Sequence, residues 1–354
     1  MDSRTIGNLF VIGFDGLSLD NELRDLLSDL NPSGVVLFSR NIEDPAQVAR
    51  LNCDLQTFAQ KELKQPGLFI GVDQEGGRVQ RLVEPFSVFP SSLELASTDD
   101  PGASVRQFAL TTARELRLAG FNLNFVPVLD VLARLDQVES SVIGDRSYGF
   151  DPGIVTVLGG IVIEAMRSCG VIPCCKHFPG HGGTRVDSHT DLPVDRRDLT
   201  TLERSDLIPF RDAVNRGVEM VMTAHVVYTA LDRQRPGTLS TAVVEGLLRQ
   251  QMGYDGAVIT DDLDMAAVAI DYSAEERGMM ALRAGVDLLL VCRQPLAALA
   301  ARSRIMEAVQ DGEIARGRID KSLSRVRKLK TQYASSMRPC DERLVREHFG
   351  LHRA

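Results

Sequence analysis

Short apolar runs recur along the chain, separated by polar or glycine-rich stretches: Leu9 to Phe14, Gly34 to Phe38, Leu68 to Val72, Asn122 to Val128, Val171 to Cys175, Glu219 to Thr223, Ala257 to Thr260 and Val286 to Cys292. Near-continuous Val, Ile and Leu, without alternation, suits parallel strands covered on both faces. Between the runs the period becomes helical. Leu23, Leu26, Leu27 and Leu30 follow the i, i+3, i+4, i+7 rule, and Asp44-Pro45 supplies a cap and a first-turn proline ahead of Val48, Leu51 and Leu55. Eight strand–helix alternations predict an α/β fold, a (β/α)8 TIM barrel. Helices near 296–311 and 319–333 are expected to complete it, giving a catalytic domain over 1–335 and a charged tail over 336–354 that forms an extra helix or an arm. An open doubly wound sheet is the alternative, but no GxGxxG follows a strand.

The 354 residues permit two domains, yet barrels of this kind often run past 250 residues as one unit. A hydrophobic content of 44% and a charged content of 25% are those of an ordinary globular chain with a large core. The net charge of -8 argues against a nucleic-acid partner, which needs a basic face. No long apolar run follows Arg4, so neither a secretory leader nor a membrane span is expected, and the reading is cytoplasmic. The six cysteines (53, 169, 174, 175, 292, 340) show no CxxC spacing and several fall in strand-like runs, which favours buried reduced thiols.

The polar motifs gather where these runs end. Asp73-Gln74-Glu75 follows the third run, Lys176 to Gly182 (KHFPGHG) the fifth, Thr223-Ala224-His225 closes the sixth, and Thr260-Asp261-Asp262 ends the seventh. In a barrel enzyme that carboxyl-terminal rim is the catalytic face. With Asp187-Ser188-His189, the stretch after the fifth run places three imidazoles, a cation and a carboxylate on what reads as a loop. Its glycines at 180, 182 and 183, with Gly170 at its base, suggest that it swings over bound substrate. Among Asp261, Asp262 and Asp264 the residues alone do not choose a nucleophile, and one of the others is expected to cap the following helix.

KHFPGHG with the downstream DSH, DQEGGRVQR at 73–81, IGDRSYG at 143–149 and ITDDLDM at 259–265 together resemble glycoside hydrolase family 3, in its β-N-acetylhexosaminidase branch. The resemblance covers all but the tail. It implies a retaining exo-β-N-acetylglucosaminidase with Asp261 as nucleophile, His189 as acid/base and Asp187 orienting that imidazole. It implies sugar contacts from Asp73, Arg81, Arg146, Lys176 and His177, with no cofactor and no metal. An imidazole titrating near 6.5 can serve as acid and then as base, and an Asp partner fixes its tautomer. Glu75 and Asp145 are candidates for positioning the arginines, His181 and His225 for supporting the site, and Gly76 and Gly77 for the turn that returns Arg81 to it. The substrate implied is a small carbohydrate, a peptidoglycan-derived muropeptide carrying N-acetylglucosamine, with chitooligosaccharide as the alternative. The absence of Trp and an aromatic content of 5% favour a small pocket over an extended groove.

Three other readings compete. A phosphorylase on the same scaffold would exploit a neutral imidazole where a second carboxylate would repel phosphate. A metallohydrolase could use His177, His181, His189, His225, Asp187 and Asp261, but neither HxH after the first run nor HExxH is present. A non-catalytic binding protein would be expected to have lost Asp261, Asp187 or His189, and all three are there. A monomer is favoured.

Overall fold

Each apolar run becomes a strand in the computed structural model, which describes residues 2–184, 187–188, 190–334 and 341–351. The strands are β1 (Phe10–Gly13), β2 (Gly34–Val36), β3 (Phe69–Val72), β4 (Leu123–Asn124), β5 (Ile172–Phe178), β6 (Met220–Thr223), β7 (Ala257–Ile259) and β8 (Leu289–Val291). All neighbours pair in parallel, in the order β7-β6-β5-β4-β3-β2-β1-β8. The bridge between Ile259 and Leu288 closes the ring, helped by Leu290 N–H donating to Thr260 Oγ1 at 2.9 Å. This is the (β/α)8 barrel that the periodicity predicts.

Helices wrap the sheet between successive strands: α1 (Asn21–Leu30), α2 (Pro45–Lys61), α3 (Pro101–Leu118), α4 (Pro152–Ser168), α5 (Leu207–Asn215), α6 (Ala274–Ala284) and α7 (Ala297–Gln310), with a π-helix, Ala242–Gln251, before β7. The predicted start of α2 is realised: Asp44 accepts from the N–H groups of Ala46 and Gln47, with Pro45 in the first turn. α3 and α4 repeat that Asp-Pro arrangement with Asp100-Pro101 and Asp151-Pro152.

Inside the ring, inward side chains form a separate apolar cluster that includes Val11, Phe69, Leu123, Phe125, Cys174, Met222 and Leu290. Its amino-terminal end is stoppered by Val326 and Leu329 of α8 (Arg316–Leu329) and by Tyr333 of the following π-turn, so the helix predicted at 319–333 is present and closes the bottom of the barrel. The tail after 335 contributes α9 (Glu342–His348), whose Val345 is buried and whose Glu342 pairs with Arg50 of α2. Cys174, Cys175 and Cys292 are buried free thiols and Cys53 and Cys169 half-buried ones, while Cys340 lies outside the described residues.

Candidate active site

The opposite, carboxyl-terminal mouth of the barrel holds a pocket of about 380 Å³. Asp73, Arg81, Arg146, Lys176, His177 and Asp261 all line it, although they come from sequence positions nearly 190 apart. Asp187 is a half-buried residue of the segment after β5, and His189, the expected acid/base, lies outside the described residues.

The cationic wall is built outward from one carboxylate. Glu75 is 2% exposed and takes a two-pronged bond from Arg146, Nε to Oε2 at 2.8 Å and Nη2 to Oε1 at 2.9 Å. Lys176 Nζ lies 2.6 Å from Glu75 Oε1 and donates to Asp73 Oδ1 at 2.7 Å. Arg81 approaches the other oxygen of Asp73 at 3.6 Å, while its buried Nε has no protein partner among the described residues. Burial opposes an ionised Glu75, yet the Arg146 and Lys176 charges outweigh it and hold the carboxyl far below its ordinary value. Burial likewise opposes the Lys176 ammonium, and Asp73 and Glu75 overcome it. Glu75 thus positions Arg146, as the sequence suggests. Asp145 instead pairs at 2.8 Å with Arg78, a residue that the sequence reading did not single out.

A tight turn makes this wall possible. Gln74–Gly76 folds back on Val79–Gln80, and Gly76 and Gly77 adopt φ of 92° and 55°, in the left-handed region that favours glycine. A Cβ on Gly77 would also sit 2.8 Å from Ser91.

On the other side, Asp261 follows Thr260 at the end of β7, and its Oδ1 accepts from the Asp262 N–H at 2.8 Å. Burial disfavours its charge, but facing His177 and His225, the Asp262 N–H and Lys176 prevail, so the carboxyl stays below its ordinary value. His225 is itself pushed down by burial, so at neutral pH the lasting support comes from the Asp262 N–H and from Lys176. Asp262, by contrast, is pushed up by burial to about 6. Neither it nor Asp264 caps the short helix Ala266–Ala269, whose first turn lacks a side-chain cap. Asp262 instead accepts from the N–H groups of Asp264 and Cys292, and Asp264 from those of Arg293 and Gln294, which ties the segment after β7 to the one after β8.

Lys176 and His177 belong to β5 itself, whose last residue is Phe178, so only the part from Pro179 onward is loop. The glycines there serve close packing. A Cβ would meet Asp206 at 2.5 Å from Gly180, the Val131 carbonyl at 2.0 Å from Gly182 and the Arg197 guanidinium at 2.2 Å from Gly183. Tyr228 Oη donates to the Gly180 carbonyl at 2.8 Å, and Gln137 Nε2 reaches the Thr184 carbonyl at 3.2 Å. The base of the segment is therefore a packed platform, where the sequence suggested a hinge.

His181 and His225 support the site as expected. His181 bonds through Nδ1 to Thr184 Oγ1 at 2.7 Å and through Nε2 to Ser188 Oγ at 3.3 Å, and burial pushes it down to about 4, so it is neutral. His225 Nε2 lies 3.0 Å from the Asp262 carbonyl. One residue was missed. Asp130, fully buried just beyond β4, lies 2.7 Å from His177 Nδ1 and also accepts from the N–H groups of His177 and His181. A lone carboxylate inside the apolar sequence Val126-Pro127-Val128-Leu129-Asp130-Val131-Leu132 was the available signal. Among the described residues no three His, Cys, Asp or Glu side chains gather closely enough to hold a metal ion.

Residues 3–329 match the glycosyl hydrolase family 3 N-terminal domain. The chain belongs to glycoside hydrolase family 3. It is 44% identical over 296 residues to a β-hexosaminidase of Thiobacillus denitrificans, covering 82% of this chain and 79% of that relative. A β-hexosaminidase of Alkalilimnicola ehrlichii is 40% identical over 290 residues, 80% of each chain. Among solved structures, a family 3 β-N-acetylglucosaminidase from Paenibacillus sp. FPU-7 superposes with a TM-score of 0.90 at 39% identity, over 95% of this chain but only 63% of the longer neighbour. A β-N-acetylhexosaminidase from Beutenbergia cavernae superposes with a TM-score of 0.86 at 29% identity, over 94% of this chain and 99% of that one. As a family 3 member with these relatives, the protein is a glycoside hydrolase.

Proposed function

We propose that this hydrolase removes terminal, non-reducing β-linked N-acetylglucosamine with retention of configuration, through a covalent glycosyl-Asp261 intermediate. The observation that carries the reading is an ionised Asp261 at the pocket wall, facing the Asp73, Arg81, Arg146, Lys176 and His177 cluster across a cavity of about 380 Å³. That volume is near the lower end for ligand pockets, roughly 300–1,000 Å³. The names of the similar hexosaminidases support the acetamido sugar.

In the first step an Asp261 oxygen forms a bond to the anomeric carbon as the glycosidic C–O bond breaks, and the leaving oxygen takes a proton from His189, oriented by Asp187. In the second step His189 takes a proton from water, the water oxygen attacks the same carbon, and Asp261 leaves as a carboxylate. Two inversions give retention. The pocket's buried ion pairs offer fixed donors and acceptors to sugar hydroxyls and to the acetamido oxygen. The natural substrate in this reading is a cytoplasmic muropeptide fragment.

Trapping with a slow fluorosugar followed by peptide mapping is expected to label the peptide carrying Asp261. Label elsewhere, or a first-formed product of inverted anomeric configuration, would overturn the scheme. His189→Ala should lower kcat by about 10²–10⁴-fold. Product analysis in phosphate buffer is expected to give free sugar, and sugar 1-phosphate would instead identify a phosphorylase.

A further inference from the structure

We propose that Asp130 is a positioning residue for the glycosidase reaction, holding His177 with its proton on Nδ1 so that Nε2 is presented as an acceptor to the sugar. This rests on the function proposed above, since it assigns His177 a task in that pocket.

The geometry leaves Asp130 little else to do. Its carboxylate is fully buried, one oxygen lies 2.7 Å from His177 Nδ1, and the other accepts from His181 N–H at 2.7 Å and His177 N–H at 3.2 Å. Three donors thus surround this one carboxylate. Burial works against its charge, and the hydrogen bonds from His177 and from the His181 N–H help to outweigh that and keep it ionised. An ionised carboxylate accepts only, so the ring nitrogen facing it must carry the proton. His177 also lines the pocket, on the same wall as Lys176 and across the mouth that Asp261 lines. The neighbouring imidazole does not compete for Asp130: the His181 ring turns its nitrogens to Thr184 and Ser188 and meets His177 edge-on, with centroids 5.9 Å apart. Asp130 therefore grips one ring and one stretch of backbone, and fixes both the orientation and the tautomer of the only one of these two imidazoles that it touches through a ring atom.

Asp130→Asn tests this, because the amide is the same size but can present N–H₂ to Nδ1 and move the ring proton to Nε2, the wrong edge for accepting a sugar hydroxyl. In the wild type, ¹⁵N-histidine spectra should show His177 protonated on Nδ1; the chain has six histidines, so assignment by substitution is practical. A wild-type His177 protonated on Nε2 alone would overturn the proposal whether or not any variant folds. In Asp130→Asn the proton should move to Nε2 and kcat/KM should fall by about 10²-fold or more, as for other orienting carboxylates. In a His177→Gln background the same change should cost almost nothing further, because Asp130 acts through that ring. Equal losses in both backgrounds would show that Asp130 only supports the fold. The cycle is run on whichever β-glycoside the wild type cleaves, so an error in the assigned sugar would not be mistaken for an error here.

Discussion

At the scale of single residues, the pocket keeps Asp261 and Glu75 charged by surrounding them with donors and cations, and this shapes the pH profile. Asp261 and Glu75 are both held below their ordinary values, so the proposed nucleophile remains ionised in mild acid and is not expected to limit activity just below neutrality. kcat/KM is expected to fall on the alkaline side as a histidine acid loses its proton, and that limb should vanish in His189→Ala; persistence of an unchanged limb would transfer the acid role elsewhere. Lys330 shows the opposite balance. It is 3% exposed, bonds to the neutral Gln65 amide oxygen and is pushed down by burial to about 7. The unfolded chain binds this proton up to about pH 10.4, so the penalty for the buried charge is full below about 7 and is relieved as pH rises toward 10. Lys330→Met should therefore raise the urea midpoint at pH 6 and show a smaller gain, by a few kcal/mol (~3), at pH 10. Sequence made the charged motif residues legible because they sit together in short distinctive strings. It hid Asp130, whose partners are 47 and 51 positions away and whose neighbours in the chain are all apolar.

At the scale of elements, the eight runs were legible because a strand covered on both faces has no polar position to interrupt it. Their ends were less so. The fourth run spans 122–128, but its continuous ladder is only Leu123–Asn124, and pairing resumes as a single bridge from Val128 to Lys176 beyond Pro127, which has no N–H to give. The fifth extends past its apolar residues to Phe178, because Lys176 and His177 meet buried carboxylates instead of water. The loop glycines carry two meanings that sequence does not separate: a glycine that admits a close neighbour, as at Gly182 and Gly183, and a glycine that bends, as at Gly180 with its φ of 135°, are the same letter. Gly77→Ala is expected to cost about 1–3 kcal/mol through its left-handed backbone and its contact with Ser91, and to weaken sugar binding by displacing Glu75 and Arg81. A rise in KM together with the loss in thermal midpoint would show both effects, whereas an unchanged KM would separate the turn from the pocket. Asp44→Ala, which removes the cap of α2 and is not among the residues that line the pocket, should cost ~1 kcal/mol and leave KM alone.

At the scale of the whole molecule, the barrel divides labour between its two ends. The carboxyl-terminal mouth holds the charged pocket, and the amino-terminal end is sealed by Val326, Leu329 and Tyr333, with Tyr333 Oη bonded to Glu219 at 2.6 Å. Truncation after residue 334 removes α9 and its contacts with Arg50 and Phe86, and should lower the melting temperature by a few degrees while leaving kcat intact. Tyr333→Ala should destabilise more than that truncation does, because it opens the apolar interior; a smaller effect would mean that the seal is redundant.

The seal lies near the carboxyl terminus of the chain, and this bears on how the protein is made. β8 is the strand that joins β1 to β7, and α8 with Tyr333 comes after it. Until residues 286–333 have left the ribosome, the nascent polypeptide can form only an open sheet with two bare margins and a greasy, unfilled centre. Chaperone demand should peak in that interval of translation and fall once α8 and Tyr333 have emerged.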